Sequence, residues 1–511
     1  MNINQMLLCR IRSGEIASHD ALEIEKVRLA GQLGTGRVIK NAEILEAAQG
    51  SEDYETLKRF LLTKPVRTSS GIANIAIMWK YKDLASSCPF SCIYCPQGKE
   101  GDAYIAPKSY TGVEPTTLRA IRNKYDPALQ IKSRLKQFHL IGHSTDKCEL
   151  IIMGGTFMCT PPAFREDFIK QSFDAFNGEE SKTLEEAHIK NESAANRCIG
   201  LTIETRADVC LPEQMLSYGC TRVEVGVQST DEDILLKTKR GHGIQSNIKA
   251  FKNLKEAGLK ICAHWMPGLT GIYGKTDLEK ELSMFKELFE NPDYRPDELK
   301  IYPTLVIPGT ELYDMWKKGE FAAMTQGEMI RLLIGMKKTV PPYVRIKRIM
   351  RDISEKKVVA GAKTTNLRQL AQMRMQELEL KCRCIRCREI KLKDYDSYKF
   401  NVIEYEASGG REFFLSFDAG ENIVAFLRLR LDNDEAAKVR ELHVYGKMAP
   451  LRGSGNAQHK GFGSMLLEKA EEIARENGKN KIQVTSGIGV RSYYIDKFGY
   501  KRDGYYVSKF L

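Results

Sequence analysis

A chain of 511 residues that is 42% hydrophobic has material for about three or four packed domains, and no apolar run in it approaches the ~18 residues of a membrane-spanning helix. Its opening, Met-Asn-Ile-Asn-Gln-Met, lacks the charged, apolar and small-residue sequence of a secretory leader, so a soluble cytoplasmic protein without a membrane role is expected and a secreted disulfide scaffold is excluded. The net charge of +12 is concentrated: Arg345–Lys391 carries 14 Lys or Arg against 5 Asp or Glu, and Arg119–His139 carries six against Asp126 alone, a footprint for nucleic-acid phosphate.

Residues 1–75 read as helical, with Glu15–Leu33 and Asn41–Ala48 joined through a turn at Gly34. The apolar run Ile72–Trp79 then leads into Cys88-Pro-Phe-Ser-Cys92-Ile-Tyr-Cys95. That spacing lets one short loop set three thiolates around one inorganic cluster and leaves a coordination position for a non-protein ligand. We read a 4Fe-4S cluster with an open iron, chelated by the amino and carboxylate groups of S-adenosylmethionine; a zinc knuckle borrowing a distant ligand is the alternative.

From residue 76 to about 340 the pattern is strand, loop, helix, repeated. Cys148–Met153 precedes Gly154, Gly155 and Thr156; Ile199–Ile203 precedes Glu204 and Arg206; Arg222–Val227 precedes Gln228. Lys300–Ile307 reads as a further strand, followed by a helix over Glu311–Lys318 that Thr310 caps and Gly319 ends. The fold class is therefore α/β, a parallel (β/α) barrel or part of one. In such barrels ligands gather at the carboxyl ends of the strands, which brings the three cysteines to the same end as Gly154, Gly155, Thr156, Glu204, Arg206 and Gln228. The glycines let the backbone approach the methionyl amino group, and Glu204 or Gln228 offers hydrogen bonds to ribose or amino groups.

A second group, Cys382-Arg-Cys384-Ile-Arg-Cys387, supplies three thiols within six residues and no evident fourth ligand. A structural zinc is the preferred reading, fixing two domains relative to each other; an auxiliary iron–sulfur cluster is the runner-up. The other seven of the 13 cysteines are expected to be buried thiols. Beyond Cys387 the pattern changes to antiparallel strands at Phe413–Phe417, Ile423–Leu429 and Arg440–Tyr445, and then Gln458-His-Lys-Gly461-Phe462-Gly463 opens a helix at Ser464. A Q-x-x-G-x-G turn before a helix presents backbone N–H groups to a pyrophosphate, and it is the acetyl-coenzyme A signature of the GNAT acetyltransferases. Thr485-Ser-Gly-Ile-Gly and Arg491-Ser-Tyr493-Tyr494 fit that domain.

A cluster barrel, a Cys-rich linker and a GNAT module in this order closely resemble the family of the catalytic subunit of Elongator, which modifies the wobble uridine of tRNA. The resemblance is carried by Lys64-Pro-Val-Arg-Thr-Ser-Ser-Gly-Ile72, Ser109-Tyr-Thr-Gly-Val-Glu-Pro-Thr116, Ile152-Met-Gly-Gly-Thr-Phe157, Thr202-Ile-Glu-Thr-Arg206, Tyr302-Pro-Thr-Leu-Val-Ile307, Arg440-Glu-Leu-His-Val-Tyr-Gly446 and Gln458-His-Lys-Gly-Phe-Gly463. It implies that a 5′-deoxyadenosyl radical takes hydrogen from the methyl group of acetyl-CoA, that the carbon radical adds to C5 of the uridine, and that thioester hydrolysis leaves 5-carboxymethyluridine. By the same resemblance Lys147, Glu441, Leu442, His443, Val444, Phe462, Gly463, Ser464 and Tyr494 match positions that contact acetyl-CoA, with Tyr493 or Tyr494 acting in thioester cleavage. The implied organisation is a helical tRNA-contacting region at 1–75, the radical barrel at 76–365, the zinc-type linker at 366–392 and the GNAT domain at 393–511. tRNA is the expected partner; a homodimer and other Elongator subunits stay open. The rival readings are a protein-lysine acetyltransferase with a structural cluster and an RNA-binding scaffold without turnover.

Overall fold

The computed structural model describes residues 2–34, 36–61, 71–81, 88–100, 103–390, 395, 397–445 and 461–511. Four helices open the chain, Ile3–Arg12, His19–Gln32, Asn41–Ala47 and Tyr54–Leu61, around a core that includes Leu7, Leu22, Leu29 and Ile44. The first lies within the region read as helical, and Asn2 and Gln5 form a reciprocal capping box at its start. The second begins four residues later than expected because the Ser18 hydroxyl caps it, accepting from the Ala21 N–H.

A parallel sheet follows, built from β1 (Ala73–Met78), β4 (Lys147–Met153), β5 (Arg197–Thr205), β6 (Cys220–Gln228), β7 (Lys260–Trp265), β8 (Glu298–Ile301) and β9 (Arg345–Ile349); the two-residue strands β2 (Lys99–Glu100) and β3 (Ala103–Tyr104) form a separate hairpin. Its order is β1-β4-β5-β6-β7-β8-β9 and every neighbouring pair is parallel, so β1 and β9 are free edges of a half-barrel. Residues alternate between two faces. Ile75, Ile77, Leu150 and Ile152 are fully buried on the outer, helix-covered face, while Asn74, Ala76, Glu149 and Ile151 on the inner face keep solvent access. The strand expected over Lys300–Ile307 stops at Ile301 in the sheet. Pro303 has no N–H for the ladder, and the Tyr302 and Thr304 N–H groups turn back to the Trp265 and Pro267 carbonyls.

The second sheet runs β10 (Lys399–Ala407), β11 (Gly410–Ala419), β12 (Asn422–Leu431) and β13 (Ala436–Val444) in antiparallel succession, then β14 (Lys481–Val484) parallel to β13, followed by β16 (Tyr506–Phe510) and β15 (Lys501–Asp503). β13 pairs with β14 only over Ala436–Val439, so Glu441–Val444 runs on past its neighbour and leaves a gap between the two strands. The helix Phe462–Glu476 crosses β11, β12 and β13, and starts from Gly461 at φ 86°, a backbone angle that glycine reaches without strain.

The two sheets dock through the amino-terminal ends of the barrel strands. Gly487 lies so close to β5 that a Cβ on it would stand 2.0 Å from the Ile199 carbonyl oxygen. Arg440 reaches from β13 across the boundary to Asp297, donating to Oδ2 at 2.9 Å and to the Leu259 carbonyl at 2.9 Å. Lys255, Glu412, Arg428 and Arg430 complete a charge network around it that is at most 1% exposed. All 13 cysteines are free thiols; Cys148, Cys198, Cys220 and Cys262 are buried as expected, Cys210 is half-buried, and Cys9 and Cys159 are exposed, contrary to the expectation for the seven outside the two groups.

Candidate active site

The three-cysteine loop is fastened from both sides. The Ile93 N–H donates to the Thr238 carbonyl at 3.1 Å, the Leu312 N–H donates to the Ile93 carbonyl at 2.9 Å, and the Lys108 ammonium donates to the Cys88 and Phe90 carbonyls. These contacts hold Cys88, Cys92 and Cys95 over the carboxyl-terminal ends of the barrel strands, around a cleft that Gly155, Thr156, Glu204, Arg206 and Gln228 also line. Arg240 stands behind the loop, with one guanidinium nitrogen 3.7 Å from Cys92 Sγ and another donating to the Gly226 carbonyl at 2.7 Å. A side chain at Gly226 would meet that guanidinium at 2.5 Å.

The donor set fits a three-thiolate cluster. Without a metal, burial and the neighbouring Cys92 push the Cys95 thiol up to about 12, so ligation supplies the drive for deprotonation. Arg240, buried behind Cys92, provides positive charge that offsets anionic thiolates. Arg206, besides lining the cleft, pairs with Asp208 at 2.9 Å and lies 3.5 Å over the Phe90 ring, which places the middle of the cysteine loop. Gly154 and Gly155 take φ 127° and 84°, and a Cβ on Gly154 would press on the Trp79 ring at 3.1 Å.

A polar network that the sequence did not reveal floors the cleft. Lys300 pairs with Glu224 and stands 3.8 Å from Glu204, His264 Nε2 is 2.9 Å from Glu224 Oε2, and the Tyr110 hydroxyl donates to Glu204 at 2.9 Å. Burial pushes Glu224 up, but the facing Lys300 and His264 outweigh it and hold the carboxyl well below its usual range. Each member comes from a different strand or loop, so the group exists only through sheet register; the one sequence signal was period-two polarity in strands such as Arg222-Val-Glu224 and Glu298-Leu-Lys300.

The residues expected to contact acetyl-CoA gather at the opposite end of the barrel strands. Lys147 is the first residue of β4 and pairs with Arg197, against which Gly489 of the second domain packs. Glu441 meets Lys260 at 3.3 Å, His443 packs against the Phe426 and Tyr445 rings, and burial takes its imidazole down to about 4. Phe462, Gly463 and Ser464 form the first turn of their helix, with the Tyr493 hydroxyl 3.1 Å from where a Gly463 Cβ would stand. Tyr493 is 39% exposed, whereas Tyr494 is buried against Tyr500 and burial raises its phenol well above the usual range. Gln458 falls outside the described residues.

The second cysteine group converges: the sulfurs of Cys382, Cys384 and Cys387 lie within 4.8 Å of one another, and no fourth His, Cys, Asp or Glu joins them among the described residues. The Lys337 ammonium stands 3.7 Å from Cys387 Sγ.

Three family models match the chain: the Radical SAM superfamily over residues 84–285, the Radical_SAM C-terminal domain over 296–377 and the acetyltransferase (GNAT) family over 373–500. A tRNA uridine(34) acetyltransferase of Methanocaldococcus jannaschii is 46% identical over 497 residues, covering 92% of this chain and 90% of its own. The human Elongator complex protein 3 is 41% identical over 515 residues, covering 95% of this chain and 92% of its own. A solved structure of Methanocaldococcus infernus Elp3 with an N-terminal deletion superposes at TM-score 0.75 with 43% identity, covering 86% of this chain and 100% of that one.

Proposed function

This chain belongs to the Elongator complex protein 3 family, and from that premise we propose that it carboxymethylates the wobble uridine of tRNA, using S-adenosylmethionine and acetyl-CoA. The observation that carries this reading is the presence, on one docked body, of a three-thiolate cleft at one end of the barrel strands and an acyltransferase sheet at the other. Cys88, Cys92 and Cys95 would hold a 4Fe-4S cluster, which would supply the one-electron reduction that cleaves S-adenosylmethionine.

The chain's own residues position and screen. Arg240 and Lys108 hold the cysteine loop and its charge, Gly155 leaves room for the methionyl end, and Glu204 and Gln228 face the cleft as hydrogen-bonding groups. At the other end, Phe462, Gly463 and Ser464 offer first-turn N–H groups to the pyrophosphate, and Glu441–Val444 edges the gap that takes the pantetheine. Tyr493, being the more accessible of the tyrosine pair and next to that turn, is the one assigned to thioester cleavage. The net change exchanges the C5 hydrogen of uridine for a carboxymethyl group whose carbons come from acetyl-CoA: one methyl hydrogen is carried off in 5′-deoxyadenosine, the ring radical left by addition gives up the C5 hydrogen as a proton and returns one electron, matching the one that cleaved S-adenosylmethionine, and water hydrolyses the thioester to release CoA. A protein-lysine acetyltransferase has no use for the radical cleft.

Purified protein incubated without oxygen with tRNA, dithionite, S-adenosylmethionine and acetyl-CoA is expected to yield carboxymethyluridine only when both co-substrates are present. Nucleoside mass spectrometry reads this out, and acetylated protein with unmodified tRNA would contradict it.

The Cys382, Cys384 and Cys387 group is assigned a structural zinc. Three thiolates suit zinc, and the group joins the two sheets: Cys384 caps the turn Ile385–Arg388, the Ile385 N–H donates to Val344 and the Ile390 N–H to Ile423. Metal analysis of the holoprotein is expected to give about four irons and one zinc per chain. About eight irons without zinc would replace this assignment by a second cluster.

A further inference from the structure

Once a carbon radical has added to C5 of a uridine, restoring the C5–C6 double bond needs a base that takes the C5 proton. The carboxylates lining the three-cysteine cleft are all engaged. Glu114 accepts from the Thr111 and Gly112 N–H groups at 2.7 and 3.1 Å, and Glu204 accepts from the Tyr110 hydroxyl at 2.9 Å with Lys300 3.8 Å away. Asp352 pairs with Arg348, and Glu224 with Lys300. His264 is the one histidine among the described residues that line the cleft.

Its ring is oriented by a carboxylate. His264 stands on β7 opposite Lys300 of β8, and its Nε2 lies 2.9 Å from Glu224 Oε2. Glu224 is fully buried and also takes the Lys300 ammonium, so it meets the imidazole as an anion and Nε2 carries the hydrogen between them. That tautomer leaves Nδ1 without a proton. Nδ1 has no hydrogen-bond partner among the described residues and is not among their buried unpaired atoms; the side chain keeps 14% of its exposure, at the cleft. Cys262 comes within 4.8 Å of Glu224 and His264, but the ammonium already on Glu224 takes the place of a metal cation there. The adjoining wall suits a pyrimidine. Tyr302 meets the His264 ring edge-on at 5.1 Å, and Arg351 lies 5.7 Å from the Tyr302 ring and 5.8 Å from the Tyr110 ring, so planes on which an unstacked base can lie stand beside the imidazole.

We propose that His264 is the base that takes the C5 proton of the wobble uridine, with Nδ1 as the accepting atom and Glu224 as its positioning residue. This role deepens the carboxymethylation proposed above and rests on it. Addition forms the bond from the acetyl methyl carbon to C5 and leaves the unpaired electron at C6. The C5–H bond then breaks: its proton goes to Nδ1, its electron pair becomes the C5–C6 π bond, and C6 gives up one electron, balancing the one spent in cleaving S-adenosylmethionine. Glu224 stabilises the imidazolium, which releases its proton to water in the cleft. Imidazole is a stronger base than a carboxylate, which suits it to a ring C–H.

His264→Gln in the full-length holoprotein keeps an N–H for Glu224 and removes the basic nitrogen. It is assayed without oxygen, with tRNA deuterated at uridine C5, S-adenosylmethionine, acetyl-CoA and dithionite. Carboxymethyluridine formed per 5′-deoxyadenosine is expected to fall about 100-fold, with iron content and tRNA binding near wild type. The adduct that keeps its deuterium takes an electron from dithionite and a proton from water at C6, and nucleoside mass spectrometry should find it as labelled 5-carboxymethyl-5,6-dihydrouridine. A second variant, His264→Ala, should lose the same product and regain it when imidazole is added. A wild-type ratio from His264→Gln would overturn the assignment. Loss of carboxymethyluridine with neither labelled dihydro product nor rescue by imidazole would also overturn it, making His264 a structural member of the Glu224 group. Wild-type protein that formed no carboxymethyluridine would sink the proposed reaction and this assignment with it, whereas a His264→Gln variant matching an active wild type sinks the assignment alone.

Discussion

Replacing Cys92 by Ala is expected to remove both 5′-deoxyadenosine formation and uridine modification, while tRNA binding and acetyl-CoA binding stay near wild type. Cys92 is the most buried of the three loop cysteines, 8% exposed, and its sulfur is the one that Arg240 faces. Two thiolates cannot hold a cluster that already leaves one iron to a substrate. The loop itself survives the change, because its anchors are backbone groups, Ile93 to Thr238 and Leu312 to Ile93, and the Lys108 ammonium. Losing one small buried side chain costs about 1 kcal/mol, too little to unfold a chain with this much core. Iron content should fall while zinc is kept. Residual carboxymethyluridine from a cluster-free variant would show that the reaction does not run through these cysteines.

The second large effect concerns the boundary between the sheets. Arg440→Ala leaves Asp297 and Glu412 buried with their main cation gone, and breaking a buried pair from one side costs about 3–5 kcal/mol. Burial pushes Asp297 up, and Arg440, Lys255 and Arg428 outweigh it and hold its carboxyl far below the usual range. A carboxyl depressed by folding stabilises the protein above its unfolded pKa of about 4, and that contribution is lost as the pH falls through lower values. Urea titration of the holoprotein should therefore show the variant far weaker than wild type at pH 7, with the gap narrowing as the pH drops below about 4. A constant gap across that range would mean that the arginine contributes packing rather than charge. Product yield per acetyl-CoA consumed should also fall, since this network aligns the two sites.

What the sequence made legible were features written within a few residues. The C-x3-C-x2-C loop, the strand before Gly154, the Thr310 cap and the glycine turn at Gly461 are all local; the structure places the strand and the cap as read, and the helix after Gly461 begins at Phe462, two residues before the expected Ser464. The length of the resemblance also identified the pairing of a radical barrel with a GNAT domain. What escaped were groups assembled by register. Glu224, His264, Lys300 and Tyr110 come from three strands and a loop, Arg240 follows a helix remote in sequence from Cys92, and none carries a local motif. The strand expected over Lys300–Ile307 failed at Pro303, where apolar β-branched residues continue but the ladder cannot. β14, β15 and β16 span four, three and five residues, too short for alternation to stand out. Lys147 was drawn into the site by resemblance alone, and only the sheet shows that it belongs to the end away from the cysteines.

In the proposed reaction a methyl hydrogen of acetyl-CoA is taken by the radical made at the three-cysteine cleft. Acetyl-CoA carrying a fully deuterated methyl group tests it in one reaction with tRNA and S-adenosylmethionine. The account predicts 5′-deoxyadenosine that has gained one deuterium, together with carboxymethyluridine bearing the remaining methyl deuteriums; 5′-deoxyadenosine free of deuterium alongside labelled carboxymethyluridine would contradict it.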